Sequence, residues 1–210
     1  MRRLLPQTRL ARVAVSVSLA LTLAVLALAG WQMQRRPAAP EGVAGTATVG
    51  GPFRLADQFG TIRTDADFRG RFMLVSFGFS HCPDVCPTIL QSMSAALDEL
   101  GPAGERVAPV FITIDPARDT VERLRAYAAN FHPRLVALTG SAEEIAAVAR
   151  AYRVYYARAA DHGAGEHGSG DYEMDHSAIV YLMGPDGAYV SHFTHETPPA
   201  EIAEAIRKRL

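Results

Sequence analysis

The chain has two cysteines, Cys82 and Cys86, which lie four residues apart in the segment His81–Pro87. They directly follow an apolar run, Arg71–Phe79, which has the character of a buried strand. A strand that leads through such a turn into a helix places both sulfurs at the helix N-terminus, where backbone N–H groups favour the thiolate. Thiolates bind soft metals and exchange disulfides, so the pair predicts one of these two activities. A structural disulfide is a third interpretation, but a loop this short would stabilise the fold little.

The elements that must position these sulfurs follow from the apolar pattern along the chain. We predict strands at 53–55, 61–63, 72–79, 107–114, 135–138, 154–157, 179–183 and 188–193, and helices after the cysteine turn, before Pro133, over 142–152 and at the C-terminus. Asp119, Ser141 and Thr197 are the predicted helix caps, with Pro198 as the first residue of the last helix. This order predicts an α/β domain with a mixed central sheet flanked by helices. A paired-thiol motif on the first strand-to-helix turn makes the fold thioredoxin-like.

An uncharged apolar stretch, Val13–Trp31, precedes this domain. Its 19 residues would span about 28 Å as a helix, close to the thickness of a hydrocarbon core. Four arginines come before it, so the positive-inside rule places residues 1–12 in the cytoplasm and the rest of the chain outside it. The alternative is a cleaved signal peptide with a small-residue site at Ala27–Ala29, although the run is long for one. We predict a retained single-pass transmembrane anchor over 13–31.

Residues 32–51 are rich in Pro, Ala, Gly and Thr without periodicity, which predicts a flexible linker. The globular domain is then 52–210, long enough to bury a core of its own. All 22 acidic residues lie beyond residue 40 but only 15 of the 21 basic ones lie beyond Arg36, so the exported part carries 15 − 22 = −7. This charge argues against a nucleic-acid partner.

Two features separate the sequence from a thioredoxin-type reductase. The cysteine spacing has one residue more than Cys-x-x-Cys, and no proline occurs between Pro133 and Pro185, where such domains carry one against the thiol pair. The segment in that place contains His176. With this fold, His176 is expected to face Cys82 and Cys86. Two thiolates and one imidazole suit copper, whereas the rival, zinc, usually takes four ligands and only three are evident.

Three motifs carry a resemblance to a known family. Gly78–Thr88 resembles the signature of the Sco/SenC family, and Ile114–Thr120 is similar to its second motif. Asp171–Ser177 together with Tyr181–Gly187 is similar to the third. The resemblance covers about residues 52–208 with the motifs in the family's order. It implies a membrane-tethered copper protein of thioredoxin fold that helps to assemble the dinuclear copper centre in subunit II of cytochrome c oxidase.

The resemblance also implies site residues, location and partners. The family binds copper as Cu(I) or Cu(II), and its copper ligands correspond to Cys82, Cys86 and His176. The implied location is the bacterial inner membrane with the C-terminal domain in the periplasm. The expected partners are oxidase subunit II and other periplasmic copper chaperones or thiol reductants. On this interpretation the protein is a metallochaperone and has no catalytic residue.

A different function remains open on the same residues. A thiol–disulfide oxidoreductase would use Cys82 to attack and Cys86 to resolve, and would reduce the target's copper-ligand cysteines or act in redox signalling. His176 distinguishes the two, because thiol exchange does not need it. A peroxidase is a third and weaker hypothesis, since no matching catalytic constellation is evident.

Other polar residues have simpler interpretations. His162 and His167 lie in a Gly-rich loop, 161–171, that matches no family motif and is expected to be solvated. His81 is expected to be an exposed turn residue. Asp84 is expected either to be a turn residue near the helix N-terminus or to tune the charge of the ligands or guide a partner. Asp115, Arg118 and Asp119 are expected to form a network of loop and cap residues. The remaining histidines, His132, His192 and His195, are expected at the surface. Met93 and Met183 are expected in the core.

Overall fold

The computed structural model describes residues 48–158 and 172–210, together with Thr22. The chain divides into two compact units, Met1–Ala47 and Thr48–Leu210, and nearly all the described residues belong to the second. The predicted basic tail and anchor, apart from Thr22, and the predicted linker up to residue 47 therefore lie outside the described residues. In the part of the chain that is described, no helix is long and apolar enough to cross a bilayer.

Nine strands and four α-helices make up the described part of the domain. The strands are β1 (Arg54–Asp57), β2 (Ile62–Thr64), β3 (Phe72–Gly78), β4 (Val107–Thr113), β5 (Val136–Thr139), β6 (Tyr156–Arg158), β7 (Met174–His176), β8 (Ile179–Met183) and β9 (Tyr189–Thr194). The helices are α1 (Val85–Leu100), α2 (Val121–Ala128), α3 (Ala142–Ala151) and α4 (Pro199–Arg207).

Seven strands form one mixed sheet in the order β2-β1-β5-β4-β3-β8-β9. Strand β4 is parallel to β3 and β5, and the other pairs are antiparallel. This confirms the predicted mixed sheet and both predicted hairpins. Strands β6 and β7 form a separate two-stranded antiparallel sheet, and β7 has no counterpart in the sequence prediction.

The core lies on both faces of the sheet because β3 and β4 are buried along their whole length. Alternate residues of these strands enter two clusters. Helices α1, α2 and α4 supply apolar side chains to one cluster, whereas α3 and Cys86 at the start of α1 contribute to the other. Burial on both faces explains why these strands are almost continuously apolar rather than alternating.

One predicted cap is confirmed at α3. The Ser141 hydroxyl accepts the Glu144 N–H at 3.2 Å, and the Glu144 carboxylate accepts the Ser141 N–H at 2.8 Å. The prediction for α4 is wrong by one residue, because the helix begins at Pro199 with Pro198 as its cap. The Thr197 hydroxyl instead accepts the Thr194 N–H and closes the turn before the helix.

The predicted cap of α2 is also wrong. Thr120 caps this helix, and its hydroxyl accepts the Arg123 N–H at 3.2 Å. Asp119 is fully buried, and its carboxylate is occupied by donors from two other segments. A carboxylate committed to those donors is not available to the first turn of the helix.

Candidate metal centre

Cys86 packs directly over the end of β3. It is the second residue of α1, and its side chain is only 2% exposed. A Cβ at Gly78, the last residue of β3, would lie 2.5 Å from the Cys86 sulfur and 3.0 Å from the Phe111 ring. Glycine at this position therefore lets the sulfur approach the backbone of the strand.

Cys82 lies in the turn between β3 and α1 and is partly exposed. Its sulfur accepts the Cys86 backbone N–H at 3.5 Å, which places it at the N-terminus of α1 as the sequence predicted. A hydrogen bond from the Cys86 thiol is the main cause that lowers the pKa of Cys82 to about 3. Burial opposes this effect, while the backbone N–H groups of Cys86 and Asp84 add to it.

The pKa values of the two thiols are shifted in opposite directions. The pKa of Cys86 is raised, because its thiol donates to the Cys82 thiolate and because it is buried. In the reduced, metal-free protein Cys82 is therefore a thiolate and Cys86 a thiol. A metal that takes both sulfurs must displace the Cys86 proton.

His176 is the last residue of β7 and pairs with Tyr156 of β6. Its Nε2 lies 3.3 Å from the Cys86 sulfur, and its Nδ1 lies 3.2 Å from the Ser177 carbonyl oxygen. A carbonyl only accepts, so Nδ1 carries the proton and Nε2 keeps its lone pair for a ligand. The edge of the ring also packs against Phe79 with the planes at 88°.

The structure brings the three residues together. One donor atom each from Cys82, Cys86 and His176 lies within 4.8 Å of the others. Among the described residues no fourth Cys, His, Asp or Glu joins this group. The donor set of two soft sulfurs and one imidazole nitrogen fits copper, and Cu(I) in particular accepts such ligands.

A buried network fixes the turn that carries Cys82. The Asp119 carboxylate accepts the Ser80 N–H at 3.0 Å, the Ser80 hydroxyl at 2.5 Å and the Thr113 hydroxyl at 2.6 Å. Arg123 donates to the Ser80 hydroxyl from α2. The turn is thereby tied to the ends of both β4 and α2. The predicted network around Asp119 exists, although its function is to hold the turn rather than to cap a helix.

A second group holds the segment that leads into β7. The Tyr172 hydroxyl donates to one oxygen of Asp115 at 2.5 Å, and Arg118 Nε donates to the other at 2.5 Å. The Tyr172 ring lies 3.6 Å from the Arg118 guanidinium carbon and 4.1 Å from that of Arg158. We call Asp115, Arg118, Tyr172 and Arg158 the tyrosine clamp. Apart from its place in the third motif, no feature of the sequence singled out Tyr172.

The other polar residues singled out in the sequence lie outside the three-residue group. The His81 side chain is 35% exposed, with Nδ1 3.4 Å from the Ser80 hydroxyl. Asp84 is exposed at the start of α1, and its side chain makes no capping hydrogen bond. Met93 and Met183 are buried in the core as expected. His162 and His167 lie outside the described residues, so the expectation for them stays a prediction.

A cleft of about 490 Å³ lies beside the tyrosine clamp. Its walls come from the β4–α2 loop, the start of α3 and the β6–β7 sheet, and include Asp115, Ser141, Arg158, Tyr172 and Met174. The three donor residues are not among those that line it. The sequence did not predict this cleft.

Comparison with known proteins gives a consistent result. The model of the SCO1/SenC family matches residues 41–210. The mitochondrial protein SCO1 homolog of Homo sapiens is 43% identical over 164 residues, which are 77% of this chain and 53% of that protein. The mitochondrial SCO2 homolog of Bos taurus is 40% identical over 86% of this chain and 65% of its own length. The chain thus spans about half to two thirds of the length of these curated relatives.

A solved structure extends the comparison to three dimensions. The structure of Bradyrhizobium japonicum ScoI with copper bound has a TM-score of 0.69 and 41% sequence identity. It covers 77% of this chain and 99% of that one. The similarity therefore extends over essentially the whole of the copper-bound structure.

Proposed function

This chain belongs to the SCO1/SenC family, and we propose that it is a copper chaperone that binds copper through Cys82, Cys86 and His176. We propose further that it assists maturation of the dinuclear copper centre in cytochrome c oxidase subunit II. One observation carries the proposal: the two sulfurs and the imidazole nitrogen lie within 4.8 Å of one another. The copper bound to the similar ScoI of Bradyrhizobium japonicum supports it.

The geometry suits a cargo site better than a permanent metal site. Cys82 is already a thiolate before metal arrives, so Cu(I) can bind to it first and then displace the Cys86 proton. Cys86 is deeply buried, whereas Cys82 is partly exposed. An incoming ligand of the acceptor can therefore approach copper from the Cys82 side. Three donors leave room for that ligand, whereas a structural zinc site usually closes with four.

The proposed location follows from the N-terminal sequence. The apolar stretch 13–31 would anchor the protein in the bacterial inner membrane, with the copper-binding domain in the periplasm. Oxidase subunit II is the proposed acceptor, and other periplasmic copper chaperones or thiol reductants are the proposed suppliers of copper and electrons. The anchor and these partners rest on the sequence and on the family resemblance.

The thiol pair also favours a second function, thiol–disulfide exchange. Cys82 is accessible and ionised, whereas Cys86 is buried and protonated, as attacking and resolving cysteines are. Cys82 would attack a target disulfide and release one target thiolate. Cys86 would then attack the mixed disulfide, lose its proton and release the second. The target gains two electrons, and Cys82 and Cys86 become a disulfide that offers copper no thiolates.

Copper titration of the reduced protein tests the first function. We expect tight Cu(I) binding in competition with a chromogenic chelator, and a sulfur-to-copper charge-transfer band with Cu(II). His176→Ala should lose most of this affinity, whereas the control His192→Ala, on the exposed face of β9, should bind like the wild type. Absence of both signals in the wild type, or full affinity in His176→Ala, would show that the proposal is wrong.

A disulfide-bonded peptide with the target's two cysteines tests the second function. The reduced protein should open the peptide disulfide, and Cys86→Ser should stop at a mixed disulfide through Cys82. Cys82→Ser should be inactive. If the wild type leaves the peptide oxidised under conditions in which a small dithiol reduces it, thiol exchange is not a function of this pair.

A further inference from the structure

The strand that carries His176 is weakly held by the main sheet. Strand β7 has three residues and pairs only with β6, which is equally short. This two-stranded sheet is not hydrogen-bonded to the seven-stranded one. Two such short strands are marginally stable alone. Side-chain contacts therefore contribute to the position of His176, beside the backbone bond from the Ser177 N–H to the Tyr155 carbonyl at 3.0 Å.

The tyrosine clamp supplies such contacts four residues before His176. The Tyr172 ring lies between two guanidinium groups, at 3.6 Å from Arg118 and 4.1 Å from Arg158. Its hydroxyl donates to Asp115 on the β4–α2 loop. Arg158 belongs to β6 and Tyr172 precedes β7, so the clamp fastens both strands of the small sheet to the loop.

The clamp is continuous with the network that holds the cysteine turn. The Asp115 backbone N–H donates to the Thr113 hydroxyl at 2.9 Å, and that hydroxyl donates to Asp119 at 2.6 Å. Asp119 in turn accepts both donors of Ser80, two residues before Cys82. One chain of hydrogen bonds thus runs from Ser80 in the cysteine turn to Tyr172, and these residues are 172 − 80 = 92 positions apart in sequence.

Burial protects this chain of contacts from competition by water. Asp115 and Asp119 are 4% and 0% exposed, and the Arg118 side chain is 13% exposed. Burial and the bond to Asp115 raise the pKa of the Tyr172 hydroxyl, so it stays a donor throughout the neutral range. Hydrogen bonds to a buried carboxylate are among the stronger ones in proteins.

We propose that Tyr172 is a positioning residue for the metal centre: through Asp115 and the two arginines it sets where His176 stands relative to the two sulfurs. The expected effect on copper affinity rests on the proposed copper function, because a displaced imidazole would weaken the third bond to copper. Tyr172 itself touches none of the three donor residues in the contacts described above. Its effect on copper is therefore indirect.

Graded variants test this inference. Tyr172→Phe keeps the ring between the arginines but loses the bond to Asp115, and we expect Cu(I) affinity to fall about 10-fold, as for other residues that orient metal ligands. Tyr172→Leu loses both contacts, and we expect a fall of about 100-fold. Arg158→Leu changes an exposed side chain at no risk to the core and should weaken binding by a smaller factor. Tyr155→Phe and Tyr155→Leu are the matched controls, since this ring is 65% exposed.

Two further measurements separate positioning from simple destabilisation. The melting temperature of the copper-free protein records stability, and nitrogen-15 NMR of the His176 imidazole records its tautomer and mobility without copper. We expect Tyr172→Leu to replace the Nδ1–H signal by an averaged one while the fold persists. If the Nδ1–H signal of His176 is also replaced by an averaged one in Arg158→Leu, the inference is supported even if Tyr172→Leu unfolds.

The outcomes are distinct from those of the copper titration. Wild-type affinity in both Tyr172→Phe and Arg158→Leu, with an unchanged His176 signal, would overturn the inference while the copper function stands. An altered His176 signal in a protein that never binds copper would keep the positioning role and remove the copper function. A fall in affinity equal in the Tyr155 and Tyr172 variants would also overturn the inference.

Discussion

Gly78→Ala should damage the metal centre although it replaces none of the three ligand residues. The added Cβ would lie 2.5 Å from the Cys86 sulfur and 3.0 Å from Phe111 Cε2, and both side chains are at most 2% exposed. Non-bonded heavy atoms prefer about 3.5–4.0 Å, so the sulfur must move by roughly 1 Å. Overpacking of this kind costs about 1–3 kcal/mol of folding free energy.

The same displacement should weaken copper binding. Metal sites tolerate errors of only about 0.5 Å in their ligands, so a shift of roughly 1 Å should lower Cu(I) affinity about 10- to 100-fold. Urea unfolding of the reduced, copper-free protein measures the first effect, and chelator competition measures the second. The matched control is Ser76→Ala, two residues earlier on β3, where a buried hydroxyl without a hydrogen-bond partner is removed.

The control variant should be as stable as the wild type or more stable, because an unsatisfied buried hydroxyl costs free energy. It should also keep full copper affinity, since no added atom approaches the sulfur. If Gly78→Ala unfolds at the wild-type urea concentration and binds copper like the wild type, the close approach of Cys86 to β3 does not constrain the centre. A loss of affinity equal in both variants would refute the reasoning as well.

Three further predictions concern charge and hydrogen bonding. The lowered pKa of Cys82, about 3, keeps its thiolate fully populated, so its alkylation rate in the reduced, metal-free protein should stay constant from pH 8 to pH 5; a fall of about 10-fold per pH unit would contradict this. Asp119→Ala leaves three buried donors unpaired and should cost about 3 kcal/mol in urea unfolding, whereas a change below about 0.5 kcal/mol would contradict the network. Burial raises the pKa of Asp57, but hydrogen bonds from Arg63 and two backbone N–H groups outweigh it and hold the pKa below its usual value. The wild type should therefore be more stable than Asp57→Asn at about pH 7 and lose that advantage as pH falls through the lowered pKa, and an advantage that does not decline at all below the ordinary carboxyl pKa of about 4 would contradict this assignment.

The sequence predicted the elements that packing alone determines. Strands β3 and β4 are buried on both faces, so their apolar runs stand out, and the two hairpins are marked by turn residues. The donor residues could also be selected in advance, because thiols beside a helix N-terminus and a histidine in place of a proline are unusual in such a domain. These features are local, so they can be recognised from the sequence.

The remaining features depend on contacts between distant segments. Asp119 has the spacing of a helix cap, but Ser80, 39 residues away, takes its carboxylate and leaves the cap to Thr120. Strand β7 is too short to produce a pattern, and the Tyr172 hydroxyl just before it bonds to Asp115, 57 residues away. Local sequence propensity predicts neither the contact of Asp119 with Ser80 nor that of Tyr172 with Asp115. Gly78 is a similar case. A side chain is excluded at this position because the Cys86 sulfur packs over it, and that contact is not apparent from the sequence.

X-ray absorption at the copper edge of the reduced, Cu(I)-loaded protein tests the central claim most directly. It counts the atoms bound to copper and distinguishes sulfur from nitrogen. The arrangement of Cys82, Cys86 and His176 predicts two sulfurs and one imidazole nitrogen, with the nitrogen contribution lost in His176→Ala. Copper bound by sulfur alone in the wild type, or the same spectrum in His176→Ala, would contradict the assignment of this centre.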